Sequence, residues 1–176
     1  GALNHFLPQD IAVLACHEVP LTFHARYSCT GKQYVYQILN RRVRDPFLQD
    51  RTLHYWYEMN LERLNSAASC FLGSHDFTSF CAEDAREPGN MTRTVAESKW
   101  SRNGDIVRFT VAADGFLYHM VRIMVGTMLW VAQGRLEPED MSRILDTRNR
   151  AAAGPTAPPQ GLYLQKVFYK DVNFRA

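Results

Sequence analysis

A chain of 176 residues holds one domain or two small half-domains, and a hydrophobic content of 46% is enough to fill a core. The formal net charge is only +2, so the total charge demands no polyanionic partner and any nucleic-acid reading must rest on how charge is distributed. Four cysteines, Cys16, Cys29, Cys70 and Cys81, form no CxxC pair, which argues against a disulfide framework or zinc ribbon and for a reducing compartment.

In chain order, Pro8 is followed by IAVLACHEV (11–19), whose composition predicts a strand. KQYVYQIL (32–39) alternates, with Tyr34, Tyr36 and Ile38 on one face and Gln33, Val35, Gln37 and Leu39 on the other. TLHYWY (52–57) is a further aromatic strand. Asn60 then reads as the N-cap of a helix whose apolar positions run from Leu61 to Leu72 and which stops at Gly73. AEDAREPGN (82–90) is a polar loop broken by Pro88 and Gly89. Residues 93–111 predict a hairpin turning at Asn103-Gly104. A long helix over about 116–133 ends near Gly134, and a second, over 137–148, opens on acids that suit the helix dipole. AAAGPTAPPQG (151–161) predicts irregular chain, and LYLQKVFY (162–169) a last strand. The order is neither alternating βα nor all-β, so the expected class is α+β with a largely antiparallel sheet.

No run of residues reaches the ~18 of a membrane span, and no signal sequence opens the stretch from Gly1. The expected location is cytoplasmic, with no membrane partner. Cys70, His75 and Cys81 lie close in sequence but lack a fourth ligand and tight spacing, so no metal is expected. Walker A, GxGxxG, GxSxG and HExxH motifs are absent.

Two features carry chemistry. Arg122 stands inside the apolar run FLYHMVRIMVGTM (116–128), and arginine is rarely buried without a partner. Either its stem packs while its head reaches water, or it forms a buried charge pair. Asp114 precedes Gly115 at a turn and suits a local capping role, so no carboxylate of this chain is an obvious partner. The second feature is the stretch 24–51, where Arg26, Lys32, Arg41, Arg42, Arg44 and Arg51 face only Asp45 and Asp50, with Tyr27, Tyr34 and Tyr36 between them. Cations beside aromatic rings suit unpaired RNA. Solvated surface cations and core aromatics explain the same residues equally simply.

Five segments, in order and at fitting separations, resemble landmarks of one family. They are ALN..LPQDIAV (2–13), FHARYSCTGKQYVYQI (23–38), FLGSHDFTSF (71–80), F.YHMVR..VGTM (116–128) and APPQGLYLQKVFY (157–169). The chain resembles the C-terminal two-thirds of bacterial-type tRNA pseudouridine synthases of the TruA family, with all 176 residues falling in its catalytic domain. The resemblance implies a pseudouridine synthase fold of ferredoxin-like halves, a homodimer, tRNA as partner, no cofactor or metal, and uridines of the anticodon stem-loop as substrate. It implies that Tyr34 contacts a flipped target uridine and that Arg122 pairs with the nucleophilic aspartate. Arg26, Lys32, Arg41 and Arg42 are expected phosphate contacts on charge alone.

One departure stands out. The family's aspartate belongs to an Arg-Thr-Asp-Ala-Gly motif that occurs nowhere in these 176 residues; MTRTVAE (91–97) has valine where the aspartate is needed. The expectation is a fragment, inactive by itself. The rival readings are a noncatalytic RNA-binding module and a purely dimerising domain of the same fold.

Overall fold

The computed structural model describes residues 2–82 and 89–170. A short helix α1 (Ala2–Phe6) is followed by strand β1 (Cys29–Leu39), the two-residue strand β2 (Leu53–His54) and helix α2 (Leu61–Ser69). Strand β3 (Gly73–Asp76), the long pair β4 (Thr92–Asn103) and β5 (Ile106–Ala113), helices α3 (Met120–Ala132) and α4 (Asp140–Thr147), and strand β6 (Leu162–Tyr169) complete it. The sheet runs β2-β1-β5-β4-β3, with β6 also paired to β1. All its pairings are antiparallel except the short one between β1 and β2. The α+β expectation holds.

Strand β1 is the hub, because β5 lies on one side of it and β6 and β2 share the other. Its alternation places Tyr36 and Ile38, both fully buried, in the core with α2 and α3. Helix α3 is buried along its length apart from Arg122, Trp130 and Ala132, as a helix apolar on most sides must be. The Trp100 indole of β4 donates to Met128 Sδ at 3.2 Å, so even the one polar atom of that ring is satisfied. Helix α2 starts where expected: Asn60 Oδ1 accepts from the Arg63 amide at 3.1 Å.

Several expectations change. Residues 11–19 form no strand: they belong to no ladder, and Leu3, Phe6, Leu14 and Leu21 along residues 2–28 are exposed. β-rich composition needs a partner strand to become sheet. The 52–57 strand shrinks to two residues, since Asn40 takes over the hydrogen bonding of the carbonyls beyond them. The hairpin forms, with Gly104 and Asp105 as its two loop residues and Asn103 as the last strand position opposite Ile106. The long helix begins at Met120, because His119 adopts φ 57, a left-handed conformation that no helix continues through. The second helix is likewise shorter and ends at Arg148, also left-handed at φ 48. Most of the 82–90 loop lies outside the described residues.

Candidate functional site

The site forms where the start of α3 meets β1 and the Pro/Gly-rich segment 153–161. That segment is irregular as expected, apart from single 3-10 turns at Arg150–Ala152 and Pro159–Gly161. It lies backbone to backbone against α3. A Cβ on Gly126 would come to 1.7 Å from the Pro155 carbonyl oxygen, and one on Gly154 to 2.7 Å from the Thr127 Cα. Both contacts need glycine for space rather than for backbone freedom. The Thr127 hydroxyl accepts from the Gly154 amide at 2.9 Å, and the Arg122 carbonyl accepts from the Ala157 amide at 3.0 Å.

The same segment holds Arg122. Its Nε donates to the Ala157 carbonyl oxygen at 2.6 Å, which fixes the guanidinium plane while the side chain remains half-buried. Among the described residues no carboxylate comes within ion-pairing distance of it, so no internal charge pair forms there, and the half-buried side chain agrees with a packed stem whose head reaches water. Tyr36 lies close: its hydroxyl donates to the Pro158 carbonyl at 2.7 Å. Burial pushes that phenol well above its ordinary range, and the Arg122 charge only partly opposes the effect. The arginine thus faces a site of uncharged groups with its unused N–H donors available.

Tyr34 stands two residues before Tyr36 on the same face of β1, between Val111 of β5 and Leu164 of β6. It is half-buried, and Phe116 meets its ring edge-on at 5.0 Å. Partial burial raises its pKa, so it is a neutral phenol at physiological pH. Two residues beyond Phe116, the exposed Tyr118 ring stacks on His119 at 3.9 Å. The site thus holds a half-buried phenol braced by Phe116 and a fixed guanidinium with no carboxylate on it among the described residues.

The basic residues disperse. Lys32 lies on β1 two positions before Tyr34, so it shares that face. Arg26 is exposed, its guanidinium 5.8 Å from the Tyr27 ring centroid. Arg41 is engaged by Asp45 at 3.0 Å and Asp105 at 3.3 Å, whereas Arg42 is exposed with no acidic partner among the described residues. Asp114 makes no local cap: its Oδ1 accepts across the sheet from the Thr94 amide at 3.0 Å, and the residue before α3 is His119. Sequence reasoning missed Phe116, which it placed on the helix, and the carbonyls of Ala157 and Pro158. The small and proline-rich run that contains them was the available signal: a segment barred from regular structure can pack its backbone against a helix.

A family model described as tRNA pseudouridine synthase matches residues 67–170, which include Arg122. The tRNA pseudouridine synthase A 2 of Clostridium tetani is 42% identical over 171 residues, covering 96% of this chain and 67% of that protein. The tRNA pseudouridine synthase A of Acetivibrio thermocellus is 42% identical over 168 residues (96% and 68%), and that of Bacillus licheniformis 43% over 170 (97% and 68%). The chain thus spans about two-thirds of the length of these relatives. Its antiparallel α+β sheet agrees with the pseudouridine synthase fold, and the chain belongs to the tRNA pseudouridine synthase family.

Proposed function

We propose that this chain forms the uridine-holding part of a tRNA pseudouridine synthase acting on the anticodon stem-loop, and that Arg122 orients a nucleophilic aspartate that these 176 residues do not contain. The observation that carries the reading is the Arg122 guanidinium itself, pinned by one backbone carbonyl, half-buried and without a carboxylate among the described residues. A half-buried cation with no counter-charge leaves its remaining donors for a carboxylate, and an aspartate arriving at the guanidinium would use them. In return the arginine keeps the aspartate ionised and aimed.

The reaction is an isomerisation. The bond between N1 of uracil and C1′ of ribose breaks with the aspartate's assistance, the base turns, and C5 bonds to C1′. The C5 proton leaves and N1 gains one, so nothing is consumed and no redox partner is needed. The uridine must leave its stack for the bond to be reached, and Tyr34, braced by Phe116, supplies a ring for the extruded base. As a neutral phenol it serves as a stacking surface and hydrogen-bond donor, and passes a proton only in concert with a second group. Arg26, Lys32 and Arg42 contact phosphates, and Arg41 does so only by releasing its two aspartates.

The parent protein works as a homodimer in the cytoplasm. Exposed apolar side chains along residues 2–28 support association, and four cysteines outside any disulfide, Cys16, Cys29, Cys70 and Cys81, suit a reducing compartment. The test is isomerisation of a tRNA transcript by the full-length protein, with Arg122→Ala and Tyr34→Ala beside it. Turnover by the unaltered protein, lost in both variants while tRNA is still bound, is the expected result. Binding without turnover in the unaltered protein would instead make it a noncatalytic RNA-binding module. This chain alone is expected to give no turnover.

A further inference from the structure

The aromatic residues at the other end of β1 have no part in the site around Tyr34 and Arg122. Trp56 is 60% exposed and Tyr57 53% exposed, with ring centroids 5.3 Å apart, and the His54 ring lies 5.9 Å from Trp56. Packing does not explain these rings, since they leave apolar area in water. They are nevertheless held in place. The Asn40 amide donates to the carbonyls of Tyr55 at 2.8 Å and Tyr57 at 2.7 Å, and Arg102 Nη2 donates to Asn40 Oδ1 at 2.7 Å.

The exposed charge on the adjoining segments is mixed but mostly basic: Glu58 follows Tyr57, against three arginines. Arg42, Arg44 and Arg102 are exposed, and none has an acidic partner among the described residues. Asp45 and Asp105, the carboxylates nearest in sequence to these arginines, are engaged by Arg41 instead. Arg44 and His54 also line an open cavity of about 230 Å³ with Asp45, Gln49, Asp50 and Gln160. That is below the roughly 300–1,000 Å³ of a site for a drug-sized ligand and of the order needed for one planar base. Its amides, imidazole and carboxylates offer donors and acceptors to the edge of such a base.

We propose that this strip binds unpaired nucleotides of RNA, with bases stacked on Trp56 and Tyr57 and the flanking phosphates met by Arg42, Arg44 and Arg102. Free cations beside fixed, exposed rings favour RNA, whose phosphates and bases answer both at once. The proposal deepens the function proposed above and rests on it for the class of ligand. Asn40 lies six positions beyond Tyr34, just past the end of β1, or about 20 Å of extended chain. The strip therefore contacts nucleotides beyond the uridine held at Tyr34.

The experiment measures equilibrium binding of full-length protein to a tRNA transcript, and the quenching of tryptophan emission by a short single-stranded oligouridylate. Trp56→Ala with Tyr57→Ala is expected to weaken tRNA binding at least about fivefold. Trp56→Phe is expected to remove most of the quenching, since of the three tryptophans of this chain Trp100 is buried, Trp130 is half-buried on α3 and only Trp56 lies in the strip. Arg42→Ala with Arg44→Ala is expected to lower the salt slope by about two; these exposed positions keep the test open if the alanine pair at 56 and 57 fails to fold. Unchanged tRNA affinity and unchanged salt slope overturn the proposal. So does a change of oligomeric state with tRNA affinity intact, which makes the strip a contact between copies of the chain. If the unaltered protein isomerises no uridine yet the oligouridylate quenches Trp56, the strip stands while the enzymatic reading falls; absence of quenching overturns the strip whatever the activity.

Discussion

The two ends of strand β1 use the same residue types in opposite ways. At one end, Tyr34 leans on Phe116 and Arg122 is fixed by a single carbonyl oxygen, so aromatic area is half-covered and one cation has no anion among the described residues. At the other, Trp56 and Tyr57 are open to water, while Arg41 is held by two carboxylates and Arg42 and Arg44 by none among the described residues. The difference teaches that an arginine's sequence neighbourhood does not set its role. What matters is whether the fold brings a carboxylate to it, and how much water remains around it.

The largest effect that would break this contrast lies under Arg122. Gly126→Val is expected to cost about 3 kcal/mol or more in denaturant unfolding, because any Cβ there collides with the Pro155 carbonyl and pushes away the segment that fixes the guanidinium. A cost near zero would show that segment 153–161 does not clamp the helix. Next in size, Arg122→Lys in the full-length enzyme is expected to lower kcat by about a hundredfold, since an ammonium cannot keep both the carbonyl contact and a planar pairing with a carboxylate. Wild-type turnover in that variant would reduce Arg122 to a packing element.

At the other end the effects are smaller and electrostatic. Arg42→Ala is expected to reduce the salt slope of tRNA binding by about one. Arg41→Ala is expected to change it less, because its guanidinium is already neutralised by Asp45 and Asp105. Equal slopes for the two variants would erase the distinction between engaged and free arginines. Away from both ends, Asp76 gives the smallest effect. The Thr78 hydroxyl donates to it at 2.6 Å and holds its carboxyl below the ordinary value of 3.8, with a weaker contribution from Arg148. A depressed folded pKa means stability that is present above 3.8 and lost as pH falls through the lower folded value. Asp76→Asn should therefore flatten the acid limb of the stability curve by less than about 1 kcal/mol, measured as urea midpoints between neutral and acid pH.

Much of the fold was legible in the chain because it rests on local rules. The alternation of 32–39 put Tyr36 and Ile38 in the core, Asn60 capped α2, and Gly104 turned the β4–β5 hairpin. Where local propensity lacked a partner it misled, as in residues 11–19, which are β-rich and unpaired. The length of α3 was overstated because periodicity cannot reveal that His119 would turn left-handed. Of the candidate site, Arg122 and Tyr34 were visible as a charge in an apolar run and as a motif resemblance. Their surroundings were not.

By itself, then, the sequence determined the α+β class, the faces of β1, the apolar character of α3 and the anomaly of Arg122, because each follows from the order of side chains along one element. Only the tertiary structure decided that a run of small residues and prolines would lie against Gly126 and grip the arginine. Only it decided that Arg41 would be neutralised while its neighbour Arg42 stayed free. Those outcomes depend on groups distant in sequence arriving within hydrogen-bonding range, where the removal of water determines what each charge is worth.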